Sequence, residues 1–392
     1  MEARRYQETH PWISFQFDLN KMTYKTWLLL GEARSKCQHI EGAPLLPDTA
    51  KHLYEIYLSK GIHGTTSIEG NTLSEEQVRE RIAGTLPLPI SREYQGHEVD
   101  NILAIANEIV QDLMRDPDME LTADRIRYFN RRLLDGLPLK EGVVPGETRS
   151  HSVGVGDYRG APAEDCDYLL DRMAKWLNEL KAPDRAELEF PIAALRAILA
   201  HLYIAWIHPF GDGNGRTARL IELQLMLQAG ASVPTAHLLS DHYNRTREVY
   251  YIELDKTSKR EGYPVEGFVD YALQGFVDEL REQITTIRAE HTRLTWQNYV
   301  HDMYPEETPA KIRQRHLALD MLPFHWYIAN DIRTISARVA ADYVGKKSKT
   351  VTRDLNELEK RNLIIRQGNR FQTNRHIIEA FKPPVPKPTI DP

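Results

Sequence analysis

The chain has 392 residues, of which 41% are hydrophobic and 27% are charged, and its formal net charge is −6. This composition is ordinary for a soluble globular protein of two or three domains with a sizeable core. The acidic net charge excludes a protein that coats nucleic acid along its whole length.

Cysteine usage and the N-terminal residues favour a cytoplasmic protein. Cys37 and Cys166 have no metal-like spacing, and two free thiols fit a reducing compartment. The N-terminus has no apolar run typical of a signal peptide. The most apolar stretch, residues 192–207, contains Arg196 and His201 and is too short to span a bilayer. We therefore expect a buried helix there and no membrane contact.

Periodic apolar positions predict a mainly α fold. The predicted helices cover residues 22–62, 96–110, 122–134, 164–180, 190–207, 215–229, 241–258 and 264–291. A turn at Gly70 and Asn71 is predicted to end one helix, and Ser74 or Thr72 to begin the next with a capping box. Residues 138–165 are rich in Gly and Pro, which predicts a loop containing a β-hairpin.

The C-terminal part has a different pattern. Short helical patterns over 309–321, 332–341 and 348–361 precede two predicted strands around a Gly368-Asn369 turn. Three helices and a hairpin make up a winged helix-turn-helix. Between Pro309 and Phe381 there are 14 Lys or Arg and 7 Asp or Glu, a net charge of +7, so the remaining residues carry −13. A basic module on an acidic body is therefore predicted.

The segment from His208 to Arg219 combines the groups that polyphosphate chemistry needs. Alternating glycines before a helix N-terminus form an anion-binding nest, and Arg216 and Arg219 lie on one face of that helix. Asp212 is a carboxylate suited to Mg²⁺, and His208 is the obvious general base beside it. With no protein nucleophile in the loop, this set indicates transfer of a phosphorus group to an incoming hydroxyl.

Two common phosphate loops do not fit this segment. No Gly-Lys-Ser/Thr follows the glycines, so it is not a Walker loop. A helix rather than a strand precedes it, so it is not a dinucleotide fingerprint.

The run His-Pro-Phe-Gly-Asp-Gly-Asn-Gly-Arg-Thr-Ala-Arg resembles the Fic motif at every specified position. The resemblance implies that ATP and Mg²⁺ are bound and that AMP is transferred to a protein hydroxyl. It implies His208 as the base, Asp212 as the Mg²⁺ ligand and Arg219 as the partner of the γ-phosphate. The other residues that it places around the phosphates are Gly211, Gly213, Asn214, Gly215 and Arg216. Kinase-like relatives carry Lys in place of Gly215, so AMP transfer is favoured over phosphate transfer.

Three flanking segments extend the resemblance over roughly residues 60–290. Ser152 to Pro162 is similar to the family's flap hairpin, which holds an extended target segment. Tyr243 and Asn244 follow the catalytic helix where relatives form the adenine side of the pocket, although aromatic packing is the alternative. Thr65-x-x-x-Glu69-Gly70 is similar to the inhibitory motif, in which the Glu takes the place of the γ-phosphate on the second Arg. Glu69 is therefore the predicted inhibitory residue, acting through Arg219.

The resemblance and the composition together predict five regions. They are an N-terminal helical region with the inhibitory helix (1–95), a Fic-type helical core with a β-hairpin flap (96–291), a connector (292–308), a winged helix domain (309–381) and a proline-rich tail (382–392).

The predicted recognition helix of the winged helix domain, 348–361, carries much of its positive charge. The basic side chains are Lys346, Lys347, Lys349, Arg353, Arg366 and Arg370. Because Asp354, Glu357 and Glu359 interrupt this basic face, protein contacts or a homodimer stay open as alternatives to duplex DNA.

The leading hypothesis is an autoinhibited AMP-transferase acting on a Tyr, Ser or Thr hydroxyl of a protein, including itself. One alternative is the removal of AMP, with Glu69 orienting a water. Another is a DNA-binding regulator whose Fic core senses nucleotide.

Overall fold

The computed structural model describes residues 4–182 and 185–379. The chain divides into two compact units, Met1–Ile284 and Thr285–Pro392. The fold is mainly α, as predicted, with short strands in both units. The predicted proline-rich tail, 382–392, lies outside the described residues.

Helices dominate the first unit. They are α1 (Tyr6–Thr9), α2 (Tyr24–Glu41), α3 (Pro47–Ser67), α4 (Glu75–Ile82), α5 (Glu93–Arg115), α6 (Ala123–Leu133), α7 (Cys166–Glu179), α8 (Ala186–Ile207), α9 (Asn214–Gln228), α10 (Val233–Ala236), α11 (Leu238–Arg245), α12 (Arg247–Lys259) and the first half of α13 (Glu266–Met303), whose residues from Thr285 onward belong to the second unit. Short 3₁₀ turns lie at Leu19–Lys21, Ile90–Arg92 and Ala163–Asp165.

Most residues of helix α8 are buried, and α9 packs along it. The apolar residues of α8 lie on all sides of the helix, and a helix of that kind must be buried on all sides. By length and composition alone α8 could cross a membrane, but 83% of its most apolar window is buried by the rest of the protein. The prediction of a buried helix is confirmed. Its C-terminal end carries the predicted catalytic loop.

The predicted single helical region 22–62 is two helices. Residues 42–46 separate α2 from α3, and Pro47 occupies the first position of α3, where its missing N–H costs no helical hydrogen bond. Helix α3 ends at Ser67, and Gly70 adopts a left-handed φ of 99°. The capping box of α4 forms as predicted, between Ser74 and Gln77. The chain therefore turns sharply at 68–73, which is the predicted inhibitory segment.

The predicted hairpin is present at 154–159. Strands β1 (Gly154–Val155) and β2 (Tyr158–Arg159) pair antiparallel, with Val155 opposite Tyr158. A second backbone contact ties the preceding loop to the end of α8, through an antiparallel bridge between Thr148 and Phe210. The hairpin is thereby held beside the catalytic loop.

The second unit is built from helices and one small sheet. Its elements after α13 are α14 (Pro309–Asp320), β3 (Tyr327–Ile328), a 3₁₀ turn (Asp331–Thr334), α15 (Ala337–Asp342), α16 (Ser348–Lys360), β4 (Ile364–Gln367), β5 (Arg370–Thr373) and a 3₁₀ turn (Arg375–Ile378). The sheet has the order β3-β5-β4, with both pairs antiparallel. The helices and the β4-β5 hairpin lie where they were predicted, and the winged helix-turn-helix assignment stays a prediction.

Several predicted boundaries differ from the structure. The predicted helix 241–258 is two helices, α11 and α12, and the first unit ends at Ile284 rather than at residue 291. The connector 292–308 is helical as far as Met303, because Trp296 and Val300 bury apolar side chains in the core of the second unit. Their spacing of four residues was visible in the sequence and indicates a helix. The boundary at 95/96 falls inside α5, and both sides of it belong to the first unit.

Candidate active site

The catalytic loop connects two buried helices through left-handed backbone. Helix α8 ends at His208 with φ 50° and ψ 57°, and α9 begins after Gly213 with φ 77°. A Cβ on Gly213 would lie 3.0 Å from the Nδ2 of Asn130. Glycine therefore meets both a conformational and a spatial need at this turn. Gly211, by contrast, has an ordinary φ and faces Val143.

His208 is half-buried at the end of α8. Burial and the nearby Arg149 guanidinium lower the pKa of His208 to about 4, against the opposing effect of Glu69. The imidazole is therefore neutral near pH 7 and able to accept a proton, as a general base must.

Asp212 and Asn214 have different surroundings in the loop. The side chain of Asp212 is 37% exposed, and its Oδ1 accepts hydrogen bonds from Gly213 N at 2.6 Å and Arg216 at 3.1 Å. The Asn214 side chain is buried, and it accepts from Phe210 N at 2.9 Å and donates to Phe210 O at 2.8 Å. Asn214 therefore shapes the loop through its side chain, whereas Asp212 keeps a carboxylate accessible.

Arg216 is held by carboxylates on both sides. One terminal nitrogen donates to Glu98 and the other to Asp212, and the side chain is almost wholly buried. Glu98, on α5, also accepts a hydrogen bond of 2.8 Å from the Nδ2 of Asn71. Helix α5 thus connects the segment after α3 to the catalytic loop. Sequence reasoning missed Glu98, a lone acidic residue in a helical pattern.

Arg219 is bound to the predicted inhibitory residue. Its terminal nitrogen donates to Glu69 Oε1 at 2.7 Å and to the backbone oxygen of Thr65 at 2.9 Å. Burial alone would raise the pKa of Glu69, but the guanidinium groups of Arg219 and Arg216 hold it below its usual value. Glu69 is therefore ionised near pH 7, and Arg219 is 2% exposed.

The Glu69 carboxylate also lies against the start of α9. A Cβ on Gly215 would collide with Glu69 Oε1. The backbone at a helix N-terminus carries partial positive charge and unpaired N–H groups, which attract anions. The carboxylate thus occupies the position that the sequence predicted for a phosphate.

A cavity of about 220 Å³ opens beside this cluster. Its charged lining comprises Glu69, Glu98, Asp212 and Arg216, and the uncharged lining includes Asn71, Tyr94 and the segment Leu137–Leu139. Asp212 and Arg216 of the catalytic loop therefore line the same cavity. Among the described residues, no group of three or more His, Cys, Asp or Glu side chains is arranged to hold a metal ion. An ion at Asp212 would therefore need oxygen ligands from a phosphate, which is how Mg²⁺ usually binds.

Tyr243 lies in the core rather than on a pocket surface. Its side chain is 0% exposed, and its hydroxyl donates to Glu222 at 2.9 Å. The surrounding rings include His201 at 4.9 Å and Tyr250 at 5.0 Å between centroids. This burial argues against the predicted nucleotide contact of Tyr243 and favours the packing alternative, because the hydroxyl and ring are already satisfied. Asn244, the next residue, is partly exposed, and its predicted role stays a prediction.

Arg149 joins the flap to the catalytic loop, and sequence reasoning missed it. Its Nε donates to the backbone oxygen of His208 at 2.7 Å, and its other nitrogens donate to the backbone oxygens of His151 and Ala161. Burial lowers the pKa of Arg149, although the guanidinium stays charged. The planar guanidinium group of Arg149 can donate hydrogen bonds to several backbone carbonyls at once. The sequence around Arg149 gives no periodic or motif signal for this contact.

Residues 120–226 match the model of the Fic/DOC family. This chain contains a Fic domain. The matched residues hold α6 and the whole loop from His208 to Arg219, whereas Glu69 and Glu98 lie outside them. The Fic domain therefore covers the predicted transfer chemistry, including Asp212, but not Glu69 and Glu98, the more distant carboxylates that bind its two arginines.

Relatives of this Fic domain occur among named adenylyltransferases. The chain is 29% identical over 202 residues to protein adenylyltransferase fic-1 of Caenorhabditis briggsae, covering 51% of this chain and 37% of that protein. It is 30% identical over 209 residues to protein adenylyltransferase Fic of Culex quinquefasciatus, covering 53% and 38%. The matches thus span well under half the length of these relatives.

Solved structures share the fold of the Fic domain and its flanking helices. A Fic family protein from Desulfovibrio desulfuricans has a TM-score of 0.53 at 20% identity and covers 90% of this chain and 97% of its own. A fragment of Fic-1 from Caenorhabditis elegans has a TM-score of 0.53 at 22% identity and covers 67% of this chain and 73% of its own.

Proposed function

We propose that this chain is a protein adenylyltransferase that moves AMP from ATP to a Tyr, Ser or Thr hydroxyl of a protein target, itself included. The observation that carries the proposal is the loop between α8 and α9, which holds a neutral His208 at its start and places the Asp212 carboxylate and Arg216 on one cavity. The names of the relatives that share the Fic domain support the same reaction.

The reaction is an in-line displacement at the α-phosphorus of ATP. The target oxygen forms a bond to the α-phosphorus, the bond from that phosphorus to the pyrophosphate oxygen breaks, and pyrophosphate leaves. His208 takes the hydroxyl proton on its neutral imidazole, which its lowered pKa permits. A Mg²⁺ ion held by Asp212 and phosphate oxygens would neutralise charge on the leaving group. The N–H groups at Asn214 and Gly215 would bind phosphate oxygens, since that of Gly213 donates to Asp212.

The target is proposed to dock on the flap, Ser152 to Pro162. Val155 at the tip of the hairpin is 45% exposed, and the strands β1 and β2 pair only with each other among the described residues. An extended peptide added along such an edge forms main-chain hydrogen bonds with little side-chain specificity. Arg149 anchors this hairpin to the backbone of His208, so the docked hydroxyl and the base keep a fixed distance.

Glu69 is proposed to inhibit this reaction. Its carboxylate holds Arg219 and lies where a phosphate would approach Gly215. Both anions require the same guanidinium, so the γ-phosphate of ATP is displaced while Glu69 stays in place. A displaced γ-phosphate leaves the α-phosphorus misaligned for attack, which suppresses the chemistry more than the binding.

The deciding experiment compares ATP labelled at the α-phosphate with ATP labelled at the γ-phosphate, in a Glu69→Gly background. We expect α-label on the protein, no γ-label, and a loss of about 10²–10⁴-fold when His208→Asn is added. Asn replaces His208 because it tolerates the left-handed backbone there. His52→Ala, an exposed histidine on α3, is the matched control and should transfer normally.

Other outcomes would redirect the proposal. Incorporated γ-label would make the chain a kinase, and a fully active His208→Asn variant would remove the base. Faster release of AMP from a modified protein than its addition would favour the hydrolase. Nucleotide binding without transfer in any background would favour a nucleotide-sensing regulator.

A further inference from the structure

We propose that the second unit binds duplex DNA through a surface formed by α16, the residues before it and the β4-β5 hairpin. This DNA surface consists of Lys346, Lys347, Lys349, Arg353, Arg366 and Arg370. All six side chains are exposed. The proposal concerns a different surface from the Fic domain and does not depend on AMP transfer.

Helix α16 separates its residues into an apolar face and a basic one. Val351, Leu355 and Leu358 are buried in the core of the second unit. Lys349, Arg353, Asn356 and Lys360 follow one another at intervals of three and four, so they share the opposite face, and all are exposed. The exposed side of α16 therefore carries three cationic side chains and the amide of Asn356.

The acidic residues that interrupt the sequence of α16 do not interrupt its exposed face. Asp354 is 0% exposed and accepts hydrogen bonds from Arg313, Gln314 and Tyr343. Glu357 is paired with Lys311 at 3.0 Å and with Arg361 at 3.1 Å. Glu359 is partly buried and lies about 15 Å along the axis from Lys349. These three residues therefore leave the exposed face of α16 basic.

Ion pairing within the second unit leaves this surface with an excess of positive charge. Of the seven carboxylates between Pro309 and Phe381, five are paired, namely Asp320, Asp342, Asp354, Glu357 and Glu379. Their partners are Arg338, His316, Arg313, Lys311, Arg361 and His376. In the described ranges, 4–182 and 185–379, no carboxylate lies within ion-pair distance of the six cations of the DNA surface.

The geometry favours duplex DNA over an acidic protein. Helix α16 has 13 residues and is about 20 Å long, a cylinder that fits the major groove. Its exposed face carries Arg353 and Asn356, whose side chains can bond base edges, beside lysines that suit phosphates. The hairpin adds Arg366 and Arg370 on strands joined by a two-residue turn. The six cations of the DNA surface are spread over the helix and the hairpin, so they can each contact a different phosphate of a duplex.

The test measures binding of the full chain to a fluorescently labelled duplex of about two to three helical turns, as a function of salt. Wild type should bind, and the logarithm of its affinity should fall linearly with the logarithm of salt concentration. Lys347→Gln, Lys349→Gln and Arg353→Gln together should lower affinity more than about tenfold and reduce the slope by about 1.8, since each of the two lysine–phosphate contacts contributes about 0.9.

The matched control removes three other exposed lysines, in the first unit, by Lys25→Gln, Lys51→Gln and Lys181→Gln, which changes the net charge by the same amount. It should bind like wild type. Absence of binding at low salt, or equal losses in both triple variants, would overturn the proposal. Polyglutamate that competes as well as unlabelled duplex would also overturn it and indicate an acidic protein partner. A circular dichroism melt of each variant confirms that the helices are intact.

Discussion

At the scale of single residues, the site is defined by which carboxylate each arginine contacts. Arg216 and Arg219 lie three residues apart on α9, yet Arg216 bonds Glu98 and Asp212 whereas Arg219 bonds Glu69. Glu98 is 6% exposed and belongs to the packed body of α5. The Glu69 side chain is 30% exposed and follows the end of a helix, so it is the carboxylate that can move away at lower cost.

Glu69→Gly should raise AMP transfer. If the ion pair biases the site by about 3 kcal/mol, within the range for breaking a buried pair, release gives on the order of 100-fold more transfer. Glu69→Gln should give a smaller rise, because its amide oxygen can still accept a hydrogen bond from Arg219. Self-modification with α-labelled ATP measures both variants, and His208→Asn in the Glu69→Gly background is the control. Transfer by Glu69→Gly no faster than by wild type would refute inhibition through Glu69.

At the scale of elements, the position of Glu69 depends on how closely α3 approaches α11. A Cβ on Gly61 would collide with the His237 ring, and a Cβ on Gly64 would lie 2.6 Å from the backbone oxygen of Ser240. These glycines share one face of α3 and allow the two backbones to touch. Glu69 follows Gly64 by five residues, so a shift of α3 is transmitted directly to the inhibitory contact.

Gly64→Ala should therefore both destabilise the protein and increase transfer. The added methyl meets backbone atoms that have no rotamer to change, so α3 must move, at a cost of about 1–3 kcal/mol. The control is Gly31→Ala on α2, where an added Cβ meets nothing within 4 Å and the change should be neutral or slightly stabilising. Thermal melts and α-label incorporation are measured together. A lower melting temperature with unchanged transfer would mean that Glu69 holds Arg219 independently of α3.

At the scale of the whole molecule, net positive charge is concentrated in the C-terminal module and net negative charge in the rest of the chain. The C-terminal module carries +7 and the rest of the chain −13. Part of the acidic charge lies where α3, α11 and α13 meet, with Asp241 and Glu279 buried and Lys60, Arg245 and Glu282 around them. Burial and the Asp241 carboxylate raise the pKa of Glu279 to about 7, against Arg245 and Lys60.

This raised pKa makes the stability of the first unit depend on pH. Because the folded pKa lies above the ordinary 4.5, Glu279 holds its proton more tightly when folded, and its stabilising contribution is lost as pH rises through about 7. The rise in pKa from 4.5 to about 7 corresponds to about 3 kcal/mol in the free energy of unfolding, at about 1.36 kcal/mol per pKa unit. The melting temperature of Glu279→Gln minus that of wild type should therefore increase by several degrees as pH rises from 5 to 8.

Glu282→Gln, one turn further along α13, is the matched control for this pH dependence. Burial raises the pKa of Glu282, but Lys60 and Arg245 hold it below its usual value, so its contribution is retained at high pH. Relative to wild type, the variant should lose melting temperature as pH rises toward the ordinary pKa of 4.5. Above that pH it should gain much less than Glu279→Gln, because Glu282 is only a minor cause of the raised pKa of Glu279. A Glu279→Gln difference that does not change with pH would mean that Glu279 is ionised throughout this range.

The sequence by itself determined those parts of the protein that depend on local chemistry. The loop from His208 to Arg219 could be predicted because glycines, a helix start and two arginines at a spacing of three act within one stretch of chain. The hairpin at 154–159 and the capping box at Ser74 likewise follow from their own residues. Helix α8 could be recognised as buried because it is apolar on every side.

Only the tertiary structure decided which distant groups meet the loop. Glu98 and Arg149 carry no local pattern, because a buried ion pair or a guanidinium on backbone carbonyls depends on partners far along the chain. Tyr243 was assigned to the nucleotide, but three-dimensional packing surrounds it with aromatic rings. Asp354 interrupts a basic sequence, yet the fold turns it inward onto Arg313. Local sequence sets what a residue can bond, and the packing of helices sets what it does bond.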